Sequence, residues 1–313
     1  MEQIVVTRRI FPEMLDRLAG HAVVDNQDDL AAAAFGLKQR VADATALLTT
    51  ASDPMGADII GAAPKLKIIS TIAVGYNNID LAACRERGIV VTNTPDVLTE
   101  TTADMGFALM MAIARRITES EIYLRQGQWQ HWAMEQLLGV DIHGATLGIL
   151  GMGRIGSAIA RRASGFGMRV IYHNRSQASD EQGAVRVDRE TLLRESDHLM
   201  LVLPYSAATH HSIGAAELDL MKPTATLTNI ARGGIVDDKA LAVALSQGRI
   251  AGAALDVYEG EPRVDPALLA CRNVVLTPHT GSATRSTRLA MCNRAIDNLT
   301  TFLSGGAPRD RVT

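Results

Sequence analysis

Two doubly wound α/β domains, each built on a parallel sheet, are the fold class that this 313-residue sequence predicts. Three observations predict it. The chain exceeds the usual size of one hydrophobic core, so two domains are expected. In both halves, short apolar runs alternate with helix-compatible stretches, the rhythm of βα units. Midway along the chain, Gly151, Gly153 and Gly156 stand between a strand-like run and a helix-like one.

In the first half the apolar runs are Ile4-Val5-Val6, Ala46-Leu47-Leu48, Ile68-Ile69-Ser70 and Ile89-Val90-Val91. Thr99 is expected to cap one helix over 100–126, because Met105, Ala108, Leu109, Ala112 and Ile113 recur at helical spacing. A second series supplies strands at 147–150, 170–173, 199–203, 226–230, 253–257 and 274–277. Six strands suffice for a full doubly wound sheet. A last helix, 283–303, is expected to return over the first domain. The expected boundaries are therefore 1–97 with 284–313 for one domain and 98–283 for the other.

Composition excludes several classes. With 47% apolar and 21% charged residues the chain is an ordinary globular one. Its formal charge is −3 and its basic residues are scattered, so no nucleic-acid partner is expected. Cys84, Cys271 and Cys292 lie far apart with no C-x-x-C, which argues against a disulfide framework or a cysteine zinc site and suits a reducing cytoplasm. The adjacent His210-His211 fall in no ligand spacing, so no metal is expected; His131, His143 and His173 have no support as catalysts. The start, Met1-Glu2-Gln3-Ile4-Val5-Val6, does not read as an export signal. The apolar stretch 105–114 is far short of the ~20 residues that cross a bilayer, so it is read as a buried helix and no membrane partner is expected.

Thr146 to Gly156 reads as strand, glycine turn and helix start, and the helix continues through Ser157-Ala158-Ile159-Ala160. Gly151 permits the tight turn, Gly153 lets backbone N–H groups near Arg154 and Ile155 approach a pyrophosphate, and Gly156 lets helix and strand pack closely. This is the context a dinucleotide site requires. An acid for the ribose hydroxyls commonly ends the second strand of such a fold; here Asn174-Arg175-Ser176 follow His173 instead. Arg175 offers a charged fork and Ser176 a further hydrogen bond to a 2′-phosphate, so NADP is favoured, with NAD as the alternative.

Three segments then begin at strand ends: Asn229-Ile230-Ala231-Arg232-Gly233-Gly234, Asp256-Val257-Tyr258-Glu259-Gly260-Glu261-Pro262 and Thr277-Pro278-His279-Thr280-Gly281. The carboxyl ends of strands border the ligand crevice of an open α/β sheet, so one cation, one acid and one imidazole converge there. The set suits keto-acid reduction. Arginine forks onto a carboxylate and polarises a carbonyl, while a histidine beside an acid holds and delivers a proton.

Arg232, Glu261 and His279, in this order after the glycine motif, resemble the D-isomer-specific 2-hydroxyacid dehydrogenases over nearly the whole chain. The resemblance implies a Rossmann coenzyme domain inserted into a flavodoxin-like substrate domain. It implies that Arg232 anchors substrate, His279 is the acid/base and Glu261 orients and charges His279. Asp256 resembles the residue near the nicotinamide carboxamide, Leu203-Pro204 with Thr209 the segment beside the adenine, and Thr102 a neighbour of the nicotinamide. Ile230, Ala231 and Gly281, with Arg232 and His279, are likewise implied to touch the cofactor. In 71–80, backbone N–H groups of Val74 and Gly75 are implied to hold the substrate carboxylate. Gly281-Ser282-Ala283-Thr284 and Gly127-Gln128-Trp129-Gln130-His131-Trp132 resemble the glyoxylate/hydroxypyruvate reductase branch, where the tryptophan matching Trp132 can reach the partner subunit's site; from the residues alone, Trp132 reads equally as a core or dimer-packing aromatic. The expected activity is NADPH-dependent reduction of a small 2-keto acid to the D-2-hydroxy acid by a homodimer joined through the helix 100–126 and its following loop. Two alternatives stay open: an NAD(P)-sensing binding protein without turnover, and a dehydrogenase of the family for D-lactate or phosphite.

Overall fold

Runs rich in valine, isoleucine and leucine pair side by side as parallel strands, and where both faces are covered they stay apolar throughout rather than alternating. The computed structural model describes residues 1–313, which divide into two units: Met1–Leu98 with Ala283–Thr313, and Thr99–Ser282.

The first unit holds β1 (Gln3–Val6), β2 (Ala22–Asp25), β3 (Ala46–Thr49), β4 (Ile68–Thr71) and β5 (Val90–Thr92) in the order 2-1-3-4-5. This is the flavodoxin-like order. Val5, Leu47, Ile69 and Val91 form one buried row across the register. They pack with Phe35, Ile60 and Cys84 on one face. The helix Arg285–Leu303 crosses β3, β4 and β5, and Ser70 Oγ donates to Ala295 O at 2.8 Å. The chain end is pinned to this helix: Arg294 Nη2 donates to Asp310 Oδ1 at 2.8 Å, and Asn298 Nδ2 donates to Asp310 Oδ2 at 2.9 Å.

The second unit holds β6 (Thr146–Leu150), β7 (Arg169–His173), β8 (Val185–Arg186), β9 (His198–Leu201), β10 (Thr226–Asn229), β11 (Gly252–Leu255) and β12 (Val274–Leu276). Their order is 12-11-10-9-6-7-8, and every pair is parallel. That is the six-strand Rossmann arrangement with a seventh strand added at β12. The chain reverses direction across the sheet between β6 and β9, which puts the switch point beside the glycine turn. Leu150, Leu199 and Leu227 bury one face of the sheet; Leu147, Ile149 and Met200 bury the other beneath Phe107 and Met110.

Several sequence expectations are corrected. The helix expected over 100–126 is two helices, Thr99–Ala114 and Ile117–Arg125, because Arg116 takes a left-handed conformation (φ 50) and its guanidinium grips Glu119 at 2.8 and 2.9 Å. Thr99 is the first helical residue rather than the cap. The strands β2 and β8 have no counterpart among the expected ones; both are short edge strands, and β8 is exposed. The strands expected to reach 203 and 257 end at Leu201 and Leu255, and the last helix starts at Arg285 behind the cap Thr284. No helix is long and apolar enough to cross a membrane.

Candidate active site

The turn after β6 closes because three glycines leave room. Gly151 has φ 106, and a Cβ there would fall 2.6 Å from Leu203 N. A Cβ on Gly156 would fall 2.6 Å from Gly151 O, whereas Gly153 faces open space. Gly153 is also the N-cap of the helix Arg154–Ser164, and no side chain caps it. Its first N–H groups therefore have the geometry that receives a phosphate. Asn174 ties the end of β7 to this turn, accepting the Met152 N–H at 2.7 Å and donating to Met152 O at 3.0 Å. Arg175 and Ser176 stand exposed beyond it, while Arg186 Nη2 donates to Asn174 O and Arg175 O at 3.1 and 2.9 Å and fixes their backbone. These residues fit a dinucleotide. In the loop after β9, Thr209 Oγ1 accepts the Ser206 N–H at 2.7 Å and donates to Pro204 O at 3.0 Å, shaping the segment that follows Leu203.

Arg232, Glu261 and His279 follow the ends of β10, β11 and β12, which lie side by side. His279 Nδ1 and Glu261 Oε2 are 2.8 Å apart. An ionised carboxylate only accepts, so Nδ1 carries the proton and Nε2 is the nitrogen left for chemistry. Glu261 Oε1 accepts the Tyr258 N–H at 2.9 Å, and the Tyr258 hydroxyl reaches Leu255 O and Thr277 O at 3.0 and 2.8 Å. Burial works against the Glu261 charge, but the His279 hydrogen bond and charge, the Tyr258 N–H and Arg232 outweigh it and hold the carboxyl below its ordinary value. Arg232 is the converse case: desolvation pushes its guanidinium below the usual arginine value, and Glu261 opposes that shift.

The turn carrying His279 is built by Asp256, which is 2% exposed. Its carboxylate accepts Thr277 Oγ1–H at 2.6 Å and the N–H groups of Thr280 and Gly281 at 2.7 Å each. His279 itself sits at φ 53, with its N–H directed to Asp256 O at 2.9 Å. A non-glycine residue held there is uncommon and marks a position that its surroundings over-determine. Thr102 is buried against the same turn: a Cβ on Gly281 would lie 3.5 Å from Thr102 Cγ2. Ile230 and Ala231 are buried just before Arg232, whose Nη1 donates to Ala231 O at 2.8 Å.

Val74 and Gly75 belong to the other unit, in the loop after β4, where Asn93 Nδ2 donates to Val74 O at 2.8 Å. Trp132 is 71% exposed, on a stretch with exposed Trp129, Met134 and Leu138. Glu259 pairs with His211 rather than with Glu261: its Oε2 is 2.9 Å from His211 Nε2. His210, His211 and Glu259 bring possible ligand atoms within 4.8 Å of one another, but the two imidazoles stack with centroids 3.9 Å apart. The sequence does not single out Tyr258 or Asp238, nor the bonds by which Asn174 braces the glycine turn; no spacing rule marks these three jobs.

Comparison with known proteins finds relatives over nearly the whole chain. Residues 107–281 match the family model described as D-isomer specific 2-hydroxyacid dehydrogenase, NAD binding domain. A glyoxylate reductase of Korarchaeum cryptofilum is 46% identical over 316 residues, covering 99% of this chain and 95% of that relative. Among solved structures, a protein of Thermus thermophilus superposes with a TM-score of 0.93 at 43% identity, covering 99% of this chain and all of that one. An NADPH-dependent glyoxylate/hydroxypyruvate reductase of Sinorhizobium meliloti, solved with NADP and malonate, gives 0.88 at 35% identity over 100% and 97% of the two chains. An NAD(P)-dependent oxidoreductase, this chain belongs to the D-isomer-specific 2-hydroxyacid dehydrogenase family, in its glyoxylate reductase branch.

Proposed function

We propose that the protein reduces a small 2-keto acid of the glyoxylate and hydroxypyruvate class to the D-2-hydroxy acid, with NADPH preferred to NADH. The observation that carries the reading is the 2.8 Å bond between His279 Nδ1 and Glu261 Oε2, with Arg232 at the end of the adjoining strand. A nicotinamide dinucleotide, when bound, would supply the hydride for the keto carbon. The chain's own residues do the rest. Arg232 forks onto the carboxylate and the keto oxygen and steadies the negative charge that develops there. His279 gives its Nε2 proton to that oxygen and ends neutral; in the oxidative direction the same nitrogen takes the proton back. Glu261 fixes the ring and balances the imidazolium. Val74 and Gly75 are the residues to which the resemblance assigns the carboxylate.

NADPH preference is supported by Asn174, at the position where an acid would repel a 2′-phosphate, by Arg175 and Ser176, which follow it, and by the NADPH dependence of the Sinorhizobium relative. Glyoxylate as substrate is supported by the relatives named glyoxylate reductase. A second copy of the chain is proposed to cover Ile117, Ile122, Leu124, Trp129, Trp132, Met134 and Leu138, large apolar side chains that each stand more than half exposed. The experiment is NADPH oxidation with glyoxylate and with hydroxypyruvate. Turnover with either supports the proposal, and NADPH binding without turnover on both would make the protein a sensor.

A further inference from the structure

Asp238 opens the helix Asp238–Ser246 and is 5% exposed, yet it does not cap that helix. Asp237 does, accepting the N–H groups of Lys239 and Ala240 at 3.0 Å each. Instead Asp238 Oδ2 accepts the N–H of Glu259 at 3.0 Å. The carbonyl of the same peptide unit lies against Gly233, where a Cβ would fall 1.7 Å from Tyr258 O and 2.2 Å from its carbon. One peptide is thus gripped on both edges. On one side is the neighbour of Arg232, and on the other is Asp238. Two residues further on, Glu261 turns back to the Tyr258 N–H at 2.9 Å and forward to His279 at 2.8 Å. The Tyr258 N–H belongs to the preceding peptide, so tilting the 258–259 peptide would swing the chain that leads on to Glu261 away from that anchor and move the carboxylate.

We infer that Asp238 is a positioning residue: by holding the Glu259 N–H it sets where Glu261 stands against His279. The inference rests on the proton-transfer reading above. The charge is held at a cost to the fold. Burial pushes the Asp238 carboxyl up to about 6, the Glu259 N–H opposes this, and the carboxylates of Glu259, Asp265 and Asp237 add to it. The other charged groups nearby are exposed Lys239 on the same helix and His211, 3.9 Å from Asp237 and paired with Glu259. An acid whose folded value lies above its unfolded one destabilises the fold as pH rises from the ordinary carboxylate range to about 6, and the cost persists above that.

The test compares D238A and D238N with the wild-type protein in kcat, in KM for NADPH and in the downfield proton resonance of His279 Nδ1–H. D238A should lose about tenfold to a hundredfold in kcat, because misplacing a catalytic group by an ångström costs that much, while KM for NADPH barely moves. Its His279 resonance should shift or vanish at temperatures well below melting. D238N keeps an acceptor for the Glu259 N–H, so it should recover most of the turnover and the resonance. It should also melt higher than wild type at pH 8 by more than it does at pH 5. If D238A does not fold, D238S, whose shorter side chain falls short of the N–H, takes its place. Wild-type kcat in the shortened variant, or equal losses in it and in D238N, would overturn the inference. Should H279A itself keep full turnover, the proton-transfer reading fails instead; should H279A lose turnover while D238A keeps it, only the role of Asp238 fails.

Discussion

Asn174 and Met152 exchange two hydrogen bonds, N–H to Oδ1 at 2.7 Å and Nδ2 to O at 3.0 Å, so the residue at the end of β7 braces the glycine turn with its whole amide. On the proposed reading, discrimination of the ribose 2′ group then falls to Arg175 and Ser176. Arg175→Ala should lower kcat/KM with NADPH roughly ten- to a hundredfold, because a charged hydrogen bond contributes ~1.5–3 kcal/mol, and should leave NADH nearly unaffected. Adding Asn174→Asp should move preference further toward NADH but weaken both cofactors, since aspartate has nothing to donate to Met152 O. Steady-state kinetics with both cofactors check this, and an NADPH preference that survives the double change would place discrimination elsewhere.

Glu261→Gln should shift the pH profile of reduction toward acid. Glu261 is held below the ordinary carboxylate value, so its charge is present through the neutral range and is lost only as pH falls through that lowered value. Glutamine removes the charge at every pH. The imidazolium form that reduction needs then has no counter-charge beside Nδ1. The measurement is kcat/KM for the keto acid against pH, and an unmoved alkaline limb would make Glu261 structural.

Much of this arrangement is legible in the sequence because the residues that carry it sit where strong local signals end. Fully apolar runs such as Ile68-Ile69 and Ala253-Ala254 mark the central strands, and the segments just after β10, β11 and β12 hold Arg232, Glu261 and His279. The edge strands β2 and β8 are illegible for the opposite reason. Val185 is 56% exposed, so its pair with β7 leaves no hydrophobic mark. The break at Arg116 hides inside an apolar series that continues through Ile117 and Ile122, which turn out to be exposed rather than buried. The bonds of Asp238, Tyr258 and Asn174 join segments distant in sequence or return to the backbone, and residue type alone does not announce such contacts.

Asp310 links the chain end to the helix Arg285–Leu303 through Arg294 and Asn298, with the Asp310 side chain 5% exposed and that of Arg294 18%. Burial opposes the Asp310 charge, but Arg294 and Asn298 hold the carboxyl below its ordinary value. The sign follows: the stabilisation is complete above the unfolded carboxylate value and is lost as pH falls through the lowered folded one. Asp310→Asn should cost about 3 kcal/mol at pH 7, as expected when one partner of a mostly buried pair is removed, and progressively less in acid. Urea unfolding at both pH values tests it; equal cost at each would show that the ion pair contributes nothing.

The helix Ile117–Arg125 buries no residue of its own and leaves Ile117, Ile122 and Leu124 more than half exposed. If a second copy covers them, light scattering at micromolar concentration should give twice the chain mass, and Ile122→Glu with Leu124→Glu should give monomers. A wild-type monomer would contradict the proposed assembly.

The proposed chemistry turns on one proton, carried by His279 Nε2 while Nδ1 rests on Glu261 at 2.8 Å. The most direct measurement is kcat for glyoxylate reduction by His279→Ala under saturating NADPH, alongside NADPH affinity measured by fluorescence titration. General acid/base help is worth roughly 10²–10⁴-fold, so kcat should fall by that factor while affinity for NADPH stays within about threefold. A variant that turns over near the wild-type rate would remove His279 from the chemistry and contradict the proposed mechanism.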